Sequence, residues 1–125
     1  MFVLTILSTD LKKELKSSEL RNQRLKEVFY KKIQEYREAC YRLTGYKIDN
    51  PKDNHYMLMS MYADSQDDVL MFRSTDCGEI QLLESQFSST LTDLVEQFLI
   101  NQDSIPMFLS SVTSELFGRQ TMVTS

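Results

Sequence analysis

Residues 4–43 read LTILSTDLKKELKSSELRNQRLKEVFYKKIQEYREACYRL, an unbroken stretch without proline or glycine in which an apolar side chain returns every third or fourth place. That recurrence is helical. At about 1.5 Å per residue the helix would reach roughly 60 Å. A compact body built from the remaining residues, about eighty of them, would have a radius of only about 12 Å. So long a rod needs a partner outside its own chain.

Within the rod the spacing is that of a coiled coil. Placing Leu15, Asn22, Phe29, Tyr36 and Leu43 at heptad position a puts Leu4, Leu11, Ser18, Leu25, Lys32 and Ala39 at d. The expected dimer seam is therefore Leu11, Leu15, Asn22, Leu25, Phe29 and Tyr36, and Asn22 is the kind of polar a-position residue that fixes register in a parallel pair. From Phe29 onward Val28, Ile33 and Cys40 widen the stripe, so the helix is expected to meet its own head there as well as its twin. Charge divides the same way. Residues 10–43 hold ten Lys or Arg against six Asp or Glu, +4, which leaves −8 for the rest of a chain whose net charge is −4. A basic rod on an acidic remainder suggests different partners at the two ends, the plainer alternative being a solvated helix face.

The remaining residues suit a single modest core, with 42% apolar and 10% aromatic residues in the 125-residue chain. No run approaches the roughly 20 apolar residues of a membrane span, and the apolar start at residues 1–7 lacks a basic n-region and a cleavage site. The reading is a soluble intracellular protein with no membrane contact. Cys40 and Cys77 make neither a disulfide framework nor a metal cluster and read as free thiols.

Thr44-Gly45 ends the helix, with Gly45 suited to a left-handed cap. Residues 46–48 read as a short extended piece and residues 49–54 as a turn. Residues 56–62, 69–73 and 80–83 read as strands, with Thr75-Asp76-Cys77-Gly78 as a hairpin turn. Phe87, Leu91, Leu94, Val95 and Phe98 form one helical stripe. Ser104 caps the next helix, whose inward stripe is Phe108, Leu109, Val112, Leu116 and Phe117, ending before Gly118. The expected fold class is α+β: a long N-terminal coiled-coil helix (1–45), then a small antiparallel sheet packed with two C-terminal helices as a head (46–125), the whole a parallel homodimer.

Catalysis finds no constellation. His55 stands at a strand start without Cys or carboxylate at ligand spacing, and reads as an ordinary edge residue. The three glycines are isolated, so no phosphate-cradling loop exists. Met57, Met59 and Met61 could line a pliant surface, but their strand spacing favours core filling. No enzyme activity, metal or cofactor is expected.

The stalk offers something sharper. Arg24 and Lys26 flank Leu25 at c and e, and Arg21 falls at g, so in a parallel dimer Arg21 faces Lys26 of the other chain. Like charges thus oppose each other twice, a cost that an anion would relieve. A phosphoserine or phosphothreonine would bring about −1.5 to −2 charges and three acceptor oxygens. On charge pattern alone the plainer reading, basic side chains splaying into water, outweighs it, because exposed repulsion is worth only a few tenths of a kcal/mol.

Leu20-Arg21-Asn22-Gln23-Arg24-Leu25-Lys26-Glu27-Val28-Phe29, continued by Lys32-Ile33-Gln34-Glu35-Tyr36-Arg37 and Ala39-Cys40-Tyr41-Arg42-Leu43-Thr44-Gly45-Tyr46, resembles the C-terminal domain of the mitotic arrest deficient one family of spindle assembly checkpoint proteins. The resemblance resumes at Gln81-Leu82-Leu83-Glu84, at Gln102-Asp103-Ser104-Ile105-Pro106, at Phe108-Leu109-Ser110-Ser111 and at Glu115-Leu116-Phe117. It implies a parallel homodimer with an RWD-like head, a nuclear and kinetochore location, and a scaffold that helps to assemble the inhibitor of the anaphase-promoting complex. It also implies that an Arg-Leu-Lys motif, here Arg24-Leu25-Lys26, receives a phosphorylated segment of the checkpoint kinase of the budding uninhibited by benzimidazole family. A threonine phosphorylation target near the end would fall at Thr121. Full-length members are far longer and carry a segment that binds mitotic arrest deficient two, which is not recognisable here. Residues 1–10 and the loop at 49–53 show no clear correspondence. The alternative function, a basic-helix dimer gripping nucleic acid, is weakened by six acids interleaved with the ten bases and by the acidic head.

Overall fold

A computed structural model describes the backbone of residues 2–123 and the side chains of residues 6–121. The seam position read at Leu4 therefore lies outside the described side chains. In order, the elements are α1 (Phe2–Thr44), β1 (Tyr46–Lys52), β2 (His55–Ser60), β3 (Val69–Ser74) and β4 (Ile80–Leu83). A composite helix follows, made of a 3-10 turn (Ser88–Leu91), α2 (Thr92–Leu94) and a π-wound turn (Val95–Asn101), and then α3 (Ile105–Val123). The α+β class and the order of elements agree with the sequence reading. The chain divides into two compact units, residues 1–36 and residues 37–125.

From Phe2 onward the first unit is helix, because nothing in its sequence interrupts the backbone ladder. Its described side chains are exposed apart from Ser18, which is half-buried. Of the seventeen large apolar side chains that remain exposed among the described residues, twelve lie on α1. Val28 and Ile33 are more than half exposed, whereas Cys40 and Tyr41 are half-buried.

In the second unit the end of α1 is fastened to β1. Gly45 takes the left-handed conformation at φ +80°, which a side chain would strain, and donates its N–H to Tyr41 O at 2.8 Å. Thr44 Oγ1 donates to Cys40 O at 2.6 Å and accepts from the Tyr46 N–H at 3.2 Å. The Arg37 guanidinium pairs with Asp49 and donates to Ile48 O at 3.2 Å.

The four strands form an antiparallel meander in chain order, with β1 and β4 at the edges. β1 runs to Lys52, four residues beyond the expected extended piece, and the turn shrinks to Asp53-Asn54. The register steps from Asp49↔Met57 to Lys52↔His55, an extra residue on β1 that makes a bulge around Asn50-Pro51. Proline is tolerated there because an edge strand has a free side, and the bulge removes the need for its missing N–H. Asn50 Nδ2 donates to Lys52 O and His55 O at 2.9 and 2.6 Å, closing the bulge. Asn54 supplies the positive φ, +62°, that so tight a turn requires.

Strand alternation sends Leu58, Leu70 and Phe72 into the core, where they meet Phe87, Leu91 and Phe98 of the composite helix and its approach. Phe108, Val112 and Leu116 of α3 complete it and are essentially inaccessible to water. Burying each such side chain is worth about 1.5–3 kcal/mol. The composite helix starts on a reciprocal pair: Ser88 N–H donates to Ser85 Oγ at 3.1 Å and Ser85 N–H to Ser88 Oγ at 2.8 Å. Ser85 Oγ also donates to Val69 O at 3.2 Å, which ties the helix start to β3. At its end Asp103, at φ +50°, turns the chain so that Ser104 N–H reaches back to Phe98 O at 2.8 Å. Ser104 then caps α3 through Met107 N–H to Ser104 Oγ at 3.2 Å.

Three further expectations are corrected. Phe117 lies outside the inward stripe of α3: it is half exposed and meets Tyr62 edge-on at 5.3 Å between ring centroids. The helix passes through Gly118 to Val123, since intrahelical bonds and the neighbouring helix formers outweigh the roughly 1 kcal/mol that one glycine costs. Met57 and Met59 occupy the sheet face opposite Leu58 and are half-buried, as is Met61 just past β2, and none of the three belongs to the core between sheet and helices.

Candidate functional site

Arg21, Arg24, Leu25 and Lys26 all lie on α1, exposed to solvent. Successive residues of a helix step about 100° around its axis, so Arg24 and Lys26 fall on opposite flanks of Leu25 and Arg21 lies one turn before it. A single helix thus brackets Leu25 with cations without gathering them into one pocket. Arg21 Nε donates to Ser17 O at 3.4 Å. Arg24 and Lys26 engage no hydrogen bond or ion pair among the described residues, in contrast to Lys32, paired with Glu35 at 3.7 Å, and Arg42, paired with Glu38 at 3.0 Å. Two uncommitted cations beside an exposed leucine offer donors to an anionic ligand together with apolar surface for its flanking residues.

The candidate seam is uncovered in the single chain. Leu11, Leu15, Leu25, Phe29 and Tyr36 are 64, 60, 53, 58 and 73% exposed, and Asn22 is exposed beside them. They share one helix stripe, whose exposure leaves apolar surface for a second helix to cover.

Thr121, on α3, is exposed, and its hydroxyl donates to Gly118 O at 3.0 Å and Phe117 O at 3.3 Å. His55 is half-buried, with Nδ1 2.9 Å from Asp53 O, and sits between Lys52 and Arg73 in the sheet register. Among the described residues no group of three or more His, Cys, Asp or Glu could hold a metal, and both cysteines are free thiols. No described helix is long and apolar enough to cross a membrane.

Sequence reasoning missed Tyr46. This residue is 3% exposed, donates its hydroxyl to Leu109 O at 2.6 Å and accepts from Thr113 Oγ1 at 3.3 Å. Burial raises its phenol above the usual 10.0, against a smaller opposing effect of the Thr113 hydrogen bond. Only the alternation of β1 hinted at an inward side chain there.

The family model for MAD, mitotic checkpoint protein, matches residues 7–121. A human protein, mitotic spindle assembly checkpoint protein MAD1, is 56% identical over 115 residues, 90% of this chain and 16% of that protein. The spindle assembly checkpoint component MAD1 of Yarrowia lipolytica is 34% identical over 110 residues, 86% of the chain and 16% of the relative. The mitotic spindle checkpoint protein MAD1 of Arabidopsis thaliana is 33% identical over 122 residues, covering 90% and 17% respectively. The chain spans 16–17% of the length of these relatives. With a family match that runs from the first apolar heptad to Thr121, the chain belongs to the mitotic checkpoint protein MAD family.

Proposed function

We propose that the chain is a non-enzymatic scaffold of the spindle assembly checkpoint, acting as a parallel homodimer at kinetochores in the nucleus. Residues 1–45 serve as the coiled-coil stalk and residues 46–125 as an RWD-like head. Arg21, Arg24, Leu25 and Lys26 dock a phosphorylated segment of the checkpoint kinase of the budding uninhibited by benzimidazole family, and the scaffold promotes assembly of the anaphase-promoting-complex inhibitor. Thr121 is the proposed phosphorylation site of the head. In a full-length relative, mitotic arrest deficient two would be a further partner.

The observation that carries this reading is the pair of uncommitted cations, Arg24 and Lys26, on either side of exposed Leu25, in a chain whose relatives are named as checkpoint proteins. In a parallel dimer, Arg21 of one helix faces Lys26 of the other and doubles the positive charge at that level. The test is titration with a phosphorylated kinase peptide and its unphosphorylated twin. The phosphopeptide should bind at least tenfold more tightly, and Arg24→Glu should abolish that preference while sedimentation still reports a dimer. Equal affinity for the two peptides would remove the docking reading, and loss of the dimer in Arg24→Glu would make that residue structural instead.

A further inference from the structure

Among the described residues β4 (Ile80–Leu83) closes the sheet on one side and pairs with β3 alone, which leaves its outer backbone edge open. Beside that edge lies a groove of about 1120 Å³, bounded on its far wall by the composite helix and the start of α3. Its apolar lining includes Ile80, Leu82, Val95, Leu99, Ile100 and Ile105. The titratable residues that line it are Glu79, Glu84, Glu96 and Asp103, all acidic, with no Lys, Arg or His among the lining residues. The wall is also where the helix adopts π winding, at Val95–Asn101. Such winding is rare and recurs at functional positions. Here it accompanies the exposed apolar side chain of Ile100 on the groove, where a residue of that kind has no folding gain.

We propose that this groove binds an extended peptide segment of another protein that carries Lys or Arg next to alternate apolar residues, added as a fifth strand along β4. Three features select that occupant. An open strand edge offers main-chain hydrogen bonds to any extended segment. Alternation on an added strand would direct every second side chain toward Ile80 and Leu82, and toward Leu99 on the wall. The uniformly acidic lining favours basic neighbours and repels acidic ones, which sets this surface apart from the cationic stalk and its anionic ligand.

The probe is a six-residue peptide of alternating valine and lysine, blocked at both ends, titrated into the whole chain while backbone amide resonances are followed. Perturbations should concentrate at residues 80–84 and 95–105. The valine–glutamate counterpart should bind at least tenfold more weakly, as should the valine–lysine peptide with alternate amides N-methylated, which retains charge but cannot complete a ladder. The exposed double substitution Glu84→Lys with Glu96→Lys should cost at least tenfold in affinity while leaving the thermal midpoint of the chain in place. Indifference to peptide charge, to N-methylation or to the double substitution would overturn the proposal, as would a concentration-dependent protection of β4 without peptide, which would assign the groove to a second copy of this chain.

Discussion

At the scale of residues, Tyr46 shows how one buried polar atom can join distant parts of a fold. Its ring fills core space beneath β1 while its hydroxyl satisfies Leu109 O on α3, sixty-three positions away in sequence. Tyr46→Phe keeps the packing but removes that donor, and should lower stability by about 1 kcal/mol, read as a reduced denaturant midpoint with an unchanged slope. The pH dependence carries a sign. Because the folded phenol holds its proton above the unfolded value of 10.0, the unfolded chain loses its proton first as alkali rises, and stability falls from about pH 10 upward. Thermal melts at pH 9 and pH 10.5 should show this loss in the parent chain, and a smaller one in Tyr46→Phe. Ser104 acts more locally: Ser104→Ala removes the cap of α3 and should cost about 1 kcal/mol, measurable by the same denaturation.

At the scale of elements, the core triplet Phe108, Val112 and Leu116 is the part of α3 that a sequence announces without ambiguity, since spacing and burial agree at all three places. Phe108→Ala should destabilise the chain by about 3–5 kcal/mol, through lost transfer energy and the cavity left in the buried core cluster, while Phe117→Ala on the exposed side should cost far less. The boundaries of α1 and the hairpin at Gly78 were equally legible, because each depends on local chemistry: a helical period, then a glycine at positive φ. The extent of β1 was not. Asn50-Pro51 has the composition of a turn, and only the bulge, the open edge and the Asn50 side chain, all tertiary facts, make it strand. Neither could the π winding of Val95–Asn101 be read, since its stripe is close to the α-helical one over two turns. On the proposed stalk, Asn22→Leu should raise the thermal midpoint of the proposed dimer and loosen its register, because a polar a position trades stability for pairing specificity.

At the scale of the whole molecule, the basic residues around Leu25 were legible as a charge pattern and stand on α1 as spacing demands, whereas the groove along β4 was not, being lined by residues from 79–84 and from 88–106 that no local pattern connects. The proposed stalk takes its meaning from the arrangement of two chains in the proposed dimer. A parallel pair brings the cations of both subunits to one level, and an antiparallel pair separates them along the axis. Nitroxide labels at Ser17 and, separately, at Lys31, with Cys40→Ser and Cys77→Ser in the background, place the probe at the same heptad position two heptads apart, about 21 Å along the helix. Dipolar distance measurements on each labelled dimer test the arrangement directly. The account predicts one short interspin distance, the same at both sites; a long distance at either site, or no dipolar coupling at all, would contradict it.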